Sequence, residues 1–302
     1  MYCQERRVVF LTKDDYKISK NQKQEKIIIM VDIDILGVNI NASDRASAEK
    51  QTDEALCHRS GYAVFTPNSC MIGKCLRDEK LKSMINSAEL RIPDGAGVAV
   101  ASRILYGNGA ISERVTGIEL AETVLKRAAE KNLRVFFYGA SPYVAKRAAE
   151  QMSERIGGLC ICGYADGYGS EAEVVKKIAD SGADIVFVCL GFPKQEMWIL
   201  QNRDKLLNVR LFMALGGTFD VWSGKVRRAG KVMCKMGLEW LWRITADGFS
   251  SVGTRKKYKD VRYLVRFSNA VLSKKLKNIV GDISHFAQMK YVHFILTNMG
   301  QI

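Results

Sequence analysis

A single carboxylate, that of Asp94, lies where an extended segment gives way to a helix-forming one. The stretch reads Ile92-Pro93-Asp94-Gly95-Ala96-Gly97 and continues as an apolar run to Ala101. Pro93 fixes its own φ and disfavours helical geometry at Ile92, so a strand is predicted to end there. Asp94 then has two interpretations: a helix N-cap, or a catalytic base at the edge where α/β sheets bind ligands. The stretch by itself favours the N-cap.

A second polar cluster follows the apolar segment 185–190 and reads Gly191-Phe192-Pro193-Lys194-Gln195-Glu196. A wholly apolar strand is typical of the centre of a parallel sheet, so the cluster is predicted at a ligand-binding edge. Lys194 offers a positive charge for phosphate, and Gln195 can both donate and accept hydrogen bonds. A helix predicted from Met197 adds its positive N-terminal dipole. A binding loop is favoured over a surface loop in which Glu196 only caps a helix. Another glycine-rich strand end follows at 216–220.

Other nucleotide and metal motifs are weak or absent in the sequence. Gly95-Ala96-Gly97 resembles the start of a dinucleotide fingerprint, but Val100 occupies the third glycine position. Neither a P-loop nor a Gly-x-Ser-x-Gly elbow occurs. Asp32-Ile33-Asp34 is an Asp-x-Asp pattern that could bind a metal-bound sugar nucleotide. A solvated strand face is the favoured interpretation. The eight cysteines lack zinc spacing, so neither a metal nor a disulfide framework is predicted.

The net charge of +14 is concentrated in the last quarter of the chain. Residues 225–302 contain sixteen Lys/Arg and four Asp/Glu, a net +12, and residues 1–224 carry the remaining +2. Such a segment is expected to meet a membrane surface, a nucleic acid or a phosphorylated substrate. Because no apolar stretch approaches the ~20 residues of a membrane span and no signal peptide is recognisable, a cytoplasmic location is predicted.

Strand-like and helix-like segments alternate through most of the chain. This order predicts an α/β fold: a Rossmann-like, doubly wound, mostly parallel sheet with a basic helical C-terminal appendage. The predicted division is a polar N-terminal arm at 1–26, a core at 27–224 and the appendage at 225–302. Strands are predicted at 27–33, 62–65, 89–92, 133–138, 159–163, 184–190 and 211–215. Helices are predicted at 41–60, 70–86, 98–106, 117–132, 143–155, 171–181 and 197–205.

Six short motifs occur in a fixed order along the core and the start of the appendage. They are Thr66-Pro67-Asn68, Pro93-Asp94-Gly95-Ala96-Gly97-Val98, Arg114-Val115-Thr116-Gly117, Gly191-Phe192-Pro193-Lys194-Gln195-Glu196, Gly216-Gly217-Thr218-Phe219-Asp220 and Gly237-Leu238-Glu239-Trp240-Leu241-Trp242-Arg243. Together they resemble the WecG/TagA/CpsF family of bacterial glycosyltransferases, over roughly residues 30–265.

The resemblance implies a reaction. Members of this family transfer a sugar from a UDP-sugar to a polyprenyl-diphosphate-linked sugar at the inner face of the membrane, with inversion of the anomeric centre. Well-known members add N-acetylmannosamine, or its uronic acid, to undecaprenyl-diphosphate N-acetylglucosamine. This transfer is an early step in the assembly of teichoic acid, common antigen, capsule or another exopolysaccharide. The family is metal-independent, so neither a metal nor another cofactor is expected; the UDP-sugar is a substrate.

The resemblance also implies roles for individual residues. Asp94 is expected to act as the base, since an inverting transfer needs one group to take the proton of the acceptor hydroxyl. Thr66 is expected to orient a substrate in the same pocket. The expected substrate-binding residues are Asn68, Gly95, Arg114, Lys194, Gln195, Glu196 and Arg243, of which Arg114, Lys194 and Arg243 are candidates for the leaving diphosphate. The chain departs from the family pattern after Arg243, which leaves open which appendage arginine reaches the diphosphate.

The basic appendage mixes cations with apolar residues. Trp222, Trp240, Trp242, Phe249 and Tyr258 interleave with arginines and lysines, and 258–280 places Val261, Leu264, Val265, Phe267, Val271 and Leu272 among Lys259, Arg262, Arg266, Lys274, Lys275 and Lys277. This composition suits an interfacial helix on anionic lipid, and a solvated helical face is the alternative.

Two other classes of protein share some of these features. An NAD-dependent or nucleotide-sugar-modifying Rossmann enzyme would need a Tyr-x-x-x-Lys pair, yet Ala172 stands four residues after Tyr168. A basic nucleic-acid-binding protein has the charge but lacks a recognisable reader motif. The sugar donated, the acceptor sugar, the polymer and the oligomeric state remain open, and an oligomer is compatible with the sequence.

Overall fold

The computed structural model describes residues 32–41, 44–107, 111–226 and 261–281, together with Gly230. The predicted arm at 1–26, Arg243 and most of the appendage lie outside the described residues. The strands are β1 Ile33–Ile35, β2 Val38–Ile40, β3 Tyr62–Phe65, β4 Leu90–Arg91, β5 Arg134–Gly139, β6 Cys160–Ala165, β7 Ile185–Cys189 and β8 Leu211–Ala214. The helices are α1 Arg45–Ala55, α2 Ser69–Cys75, α3 Glu79–Asn86, α4 Ala96–Tyr106, α5 Gly117–Glu130, α6 Val144–Arg155, α7 Glu171–Ser181, α8 Lys194–Asn202, α9 Thr218–Trp222 and α10 at 261–281, with a 3₁₀ turn at Arg203–Lys205.

Within the described residues, the central sheet has six strands in the order β4-β3-β8-β7-β5-β6, and every neighbouring pair is parallel. The predicted α/β, Rossmann-like fold is therefore confirmed. All five residues of β7 are buried, as its apolar sequence predicts for an interior strand. Because the strands are parallel, the polar loops that follow β3, β4, β7 and β8 all leave the sheet at one edge.

Alternate residues of each strand enter opposite apolar layers. Phe137, Phe187 and Met213 belong to a layer with α5, α6 and α9, whereas Phe136, Val186 and Phe212 face α7 and α8. This is the period-2 alternation of a sheet covered on both faces. Trp222, grouped above with the appendage aromatics, instead stacks on Phe137 with ring centroids 5.7 Å apart. It belongs to the core of the sheet.

The predicted first strand at 27–33 lies mostly outside the described residues. Its described end belongs to β1, which pairs with β2 as an antiparallel hairpin outside the central sheet. The predicted helix at 70–86 is two helices, because the Asp78 side chain accepts a hydrogen bond from the Leu81 amide and starts α3. The predicted helix at 197–205 begins at Lys194, since Pro193, which has no amide hydrogen to satisfy, takes the N-cap position.

The hairpin, α2, α4 and α10 enclose a third apolar cluster. Phe267 and Val271 of α10 are buried in it, so these two residues face the protein and not a membrane. Lys274 pairs with Asp34 of β1 at 2.5 Å. A Cβ at Gly73 of α2 would clash with the carbonyl oxygen of Tyr263, so α10 crosses α2 in backbone contact. The described part of the appendage is therefore docked on the core.

Candidate active site

The loops that follow β3 and β4 are joined to each other at the edge of the sheet. The Asp94 amide donates to the carbonyl oxygen of Pro67 over 3.2 Å and to that of Ile92 over 2.9 Å. Thr66, only 6% exposed, donates its hydroxyl to the carbonyl oxygen of Ala214 over 3.1 Å. Three neighbouring strand ends, those of β4, β3 and β8, are thus held together around Thr66 and Asp94.

Asp94 does not occupy the N-cap position that the local sequence favoured. The N-cap of α4 is Gly95, whose φ of +92° lies in the region that favours glycine. Asp94 precedes this turn, is partly exposed, and is neither buried in the core nor part of α4. Its place at the edge of the sheet is the one expected for a base, and the catalytic role stays a prediction.

Asn68 caps the helix that leaves the same loop. Its Oδ1 accepts hydrogen bonds from the amides of Cys70 at 3.0 Å and Met71 at 3.1 Å. A Cβ at Gly95 would lie 4.0 Å from the Cβ of Asn68, so the two residues are neighbours. The structure therefore brings together Thr66, Asn68, Asp94 and Gly95.

Gln195 ties the loops that follow β7 and β8. Its Oε1 accepts from the amide of Gly191 at 3.1 Å and from the amide of Gly216 at 3.0 Å. Its Nε2 donates to Glu196 Oε1 at 2.9 Å. Both side chains lie in the first turn of α8 and are buried, Gln195 at 2% and Glu196 at 0% exposure. Their predicted contact with substrate is untested, and this burial favours an indirect contribution through the loops.

Burial raises the pKa of Glu196 from 4.5 to about 7, while the hydrogen bond from Gln195 and the Lys74 ammonium oppose that rise. Among the described residues, Glu196 Oε2 has no hydrogen-bond partner. A buried carboxylate with an unmatched oxygen is costly, so this residue calls for an explanation beyond the packing of α8.

The candidate diphosphate-binding cations lie at different depths. Lys194 is exposed at the start of α8, where the helix dipole adds positive potential. Arg114 is partly buried in the segment before α5. That segment leads to Gly117, where a Cβ would lie 2.9 Å from Thr66 Cγ2, so the start of α5 packs on the loop after β3.

A cation–aromatic cluster near the loop after β7 was not anticipated from the sequence. Lys74 Nζ lies 5.5 Å from the ring centroid of Phe192 and 5.3 Å from that of Tyr263. Arg262 and Arg266 lie 5.6 and 5.4 Å from the Tyr263 ring. Lys74 lies in a helix and Tyr263 in the appendage, so only the docking of α10 brings them together. The cluster extends the positive charge of the appendage to the site edge.

The Asp32 and Asp34 carboxylates each meet a cation: Arg91 lies 3.3 Å from Asp32 and Lys274 lies 2.5 Å from Asp34. Only Asp34 lies within β1, and both side chains stay solvated in part, with 46% of Asp32 and 42% of Asp34 exposed beside these cations. Among the described residues, no group of three or more His, Cys, Asp or Glu side chains converges as a metal site would require. The absence of a metal from the reaction stays a prediction.

In the part of the chain that the structure describes, no helix has the length and apolar character to cross a bilayer. Comparison with known proteins gives a family match over residues 33–276 to the glycosyl transferase WecG/TagA/CpsF family.

Three similar proteins carry the name N-acetylglucosaminyldiphosphoundecaprenol N-acetyl-beta-D-mannosaminyltransferase. The one from Bacillus spizizenii is 35% identical over 64% of this chain and 74% of its own length. The one from Bacillus subtilis is 35% identical over 61% and 71%, and the one from Staphylococcus aureus 29% identical over 71% and 85%.

The family match spans every described strand of the sheet and all the strand-end loops of the candidate site. It favours sugar transfer over the oxidoreductase and nucleic-acid-binding alternatives, and it confirms the resemblance carried by the six motifs. The chain belongs to the WecG/TagA/CpsF family and is a glycosyltransferase.

Proposed function

We propose that this protein transfers N-acetylmannosamine, or a closely related sugar, from a UDP-sugar to undecaprenyl-diphosphate-linked N-acetylglucosamine, with inversion and without a metal, during assembly of a cell-surface polysaccharide. The observation that carries the proposal is the joining of the Asp94 loop to the Thr66–Asn68 loop at the carboxyl edge of the sheet. The names of the three similar proteins supply the sugar and the acceptor.

In the proposed step, the Asp94 carboxylate takes the proton of an acceptor hydroxyl as that oxygen attacks the anomeric carbon of the donor. The new glycosidic C–O bond forms on one face while the bond to the UDP oxygen breaks on the other. UDP leaves with the electron pair, and its negative charge is stabilised by Lys194, Arg114 and the amino end of α8. Arg243 would add a further cation.

Features of α10 support a second part of the proposal, contact with the inner face of the membrane. Val261, Val265, Leu272, Leu276 and Ile279 are exposed and fall on one stripe of the helix at 100° per residue. Arg262, Arg266 and Lys277 lie to one side of this stripe. Exposed apolar residues beside cations suit an anionic lipid surface, to which each cation contributes roughly 1 kcal/mol.

The test is UDP release by purified protein given undecaprenyl-diphosphate N-acetylglucosamine and, in parallel, UDP-N-acetylmannosamine, UDP-glucose or UDP-glucuronic acid, with EDTA present. Release with UDP-N-acetylmannosamine is expected. Asp94→Asn should lower kcat by about 10²- to 10⁴-fold without changing Tm, the range that a general base contributes. The matched control is Asp180→Asn, which makes the same change at an exposed carboxylate on α7.

Near-native turnover by folded Asp94→Asn would remove Asp94 as the base. Loss of turnover in EDTA, restored by a divalent cation, would overturn the metal-independent reaction. Failure of any UDP-sugar to bind would overturn the donor class.

A further inference from the structure

The carboxamide of Gln195 has donors on one side and an acceptor on the other. Its carbonyl oxygen faces two amide hydrogens, those of Gly191 and Gly216, and its NH₂ group faces the Glu196 carboxylate. A flipped carboxamide would direct its NH₂ group at two amide hydrogens and its oxygen at a carboxylate. One orientation therefore satisfies every contact, and the reverse satisfies none of them.

We infer that Glu196 is a positioning residue: its buried carboxylate holds the Gln195 carboxamide in this orientation and so fixes the spacing of the loops that follow β7 and β8. Those loops provide the glycines at the carboxyl edge of the sheet, and the loop after β7 leads into Lys194 at the start of α8. The inference rests on the proposed function, in which this edge receives the donor diphosphate.

Packing alone does not account for a carboxylate at this position. Glu196 is fully buried, only Oε1 meets a donor, and Oε2 is unmatched among the described residues. An apolar side chain of similar length would fill the space without placing a charge in the interior. What it could not supply is an acceptor opposite Gln195 Nε2. The acceptor is therefore the feature that distinguishes Glu196 from an ordinary core residue.

Burial sets the pH range in which Glu196 acts, and the groups that face its carboxylate modify it. Gln195 donates to it from its own helix, and Lys74 and Cys75 face it electrostatically from α2. Burial raises the pKa of the Cys75 thiol to about 12, so Cys75 stays neutral near pH 7, whereas Lys74 brings a positive charge. Protonation of Glu196 near pH 7 removes the charge from the acceptor and weakens the hydrogen bond to Gln195. The positioning effect should accordingly strengthen as pH rises through about 7.

Two substitutions separate the acceptor from the charge. Glu196→Gln keeps a carbonyl acceptor without a titratable group, and Glu196→Met keeps the length without an acceptor. Hydrogen exchange of the Gly191 and Gly216 amides reports the positioning directly. Steady-state UDP release at pH 6 to 8 reports its effect on the reaction. Glu173→Gln, an exposed position on α7, is the control.

Glu196→Met is expected to lose roughly tenfold or more of the protection of both amides, and about tenfold to a hundredfold in kcat/KM for the donor. Glu196→Gln should keep the protection of both amides close to that of the wild type, and its kcat/KM should not rise between pH 6 and 8. Glu173→Gln should match the wild type in every measurement.

Unchanged amide protection in Glu196→Met would overturn the inference, and so would native kcat/KM in that variant when the protection is lost. If Glu196→Met does not fold, the pH profile of Glu196→Gln decides. A rise of its kcat/KM with pH as large as that of the wild type would overturn the inference. Absence of turnover by the wild type would count against the proposed function, and amide exchange would still decide the role of Glu196.

Discussion

The hydroxyl of Thr66 donates to the carbonyl oxygen of Ala214 over 3.1 Å, which joins the end of β3 to the end of β8. The bond spans 148 residues of sequence, and it is buried. Thr66 thus stabilises the fold at the same place where it is expected to orient a substrate. These two contributions can be separated by replacing the hydroxyl and the methyl group one at a time.

Thr66→Val removes the hydroxyl and keeps the branched shape, so the Ala214 carbonyl loses a donor in a buried place. The free energy of unfolding should fall by about 1 to 3 kcal/mol, and kcat/KM by roughly tenfold or more as the strand ends shift. Thr66→Ser keeps the hydroxyl and should retain most of the activity. Urea unfolding and UDP release measure the two effects. A larger activity loss in Thr66→Ser than in Thr66→Val would show that the methyl group, and not the hydroxyl, is the important part.

Glu196 should make stability depend on pH. Its pKa is about 7 in the folded protein against an ordinary 4.5, so the folded state binds more protons between these values. Stability therefore falls as pH rises from 4.5 to 7, and the cost is complete above 7. Since one pKa unit corresponds to about 1.4 kcal/mol, the cost is of the order of 3 kcal/mol.

Glu196→Gln removes this titration. Relative to the wild type, the variant should gain stability as pH rises: the difference in the free energy of unfolding should increase by about 3 kcal/mol between pH 4.5 and pH 8. Denaturant unfolding at a series of pH values measures the difference, with Glu173→Gln as the reference. A constant difference across the series would mean that Glu196 has an ordinary pKa.

The contact between α2 and α10 should be sensitive to a single methyl group. Alanine at position 73 favours helix formation by about 1 kcal/mol over glycine, yet its Cβ would overlap the Tyr263 carbonyl. Because that obstacle is backbone, α10 must move away, and its amides should exchange at least roughly tenfold faster in Gly73→Ala.

Gly157→Ala is the control for that substitution, since nothing lies within 4 Å of a Cβ at Gly157. Hydrogen exchange resolved to residues 261–281 compares the two variants. Unchanged exchange in Gly73→Ala would mean that α2 and α10 adjust without separating.

The exposed apolar stripe of α10 predicts the strength of membrane binding. Leu272 and Leu276 are 54% and 62% exposed, so serine at both positions leaves the core intact and removes apolar area available to lipid. Cosedimentation with phosphatidylglycerol vesicles should weaken by roughly tenfold or more. Leu207→Ser, at an exposed leucine outside α10, should have no effect. Equal binding by the double variant and the wild type would place the lipid contact elsewhere.

Sequence patterns predicted the sheet well because its signals are local. The apolar run of β7 and the Pro93 and Gly95 punctuation place strand ends within one or two residues of those observed. The break at Asp78 was missed because apolar residues continue on both sides of it, and a capping aspartate within such a pattern looks like an exposed helix residue. The early start of α8 is not evident from the sequence, because Gly191 and Pro193 favour a loop at this position.

The candidate site could be predicted as a set of strand ends but not as a set of contacts. Thr66, Asn68, Asp94 and Gly95 lie together because β3 and β4 are parallel neighbours, which the α/β pattern allows one to expect. That Gln195 accepts from both Gly191 and Gly216 depends on the strand order, which no local signal specifies. The cluster of Lys74, Phe192 and Tyr263 forms only because α10 packs on the core. The distribution of charge along the sequence does not predict where α10 packs.

Because α10 packs on the hairpin, two distant parts of the chain must meet before this part of the fold is complete. The apolar cluster of Ile33, Ile35, Val38 and Ile40 is completed by Phe267 and Val271, more than two hundred residues later in the chain. During synthesis, the central sheet can assemble once β8 has left the ribosome, while the hairpin cluster still lacks the part of its cover that α10 supplies. The nascent chain therefore carries a partly uncovered apolar surface until residue 271 emerges, and truncation before α10 should expose that surface to chaperones and proteases.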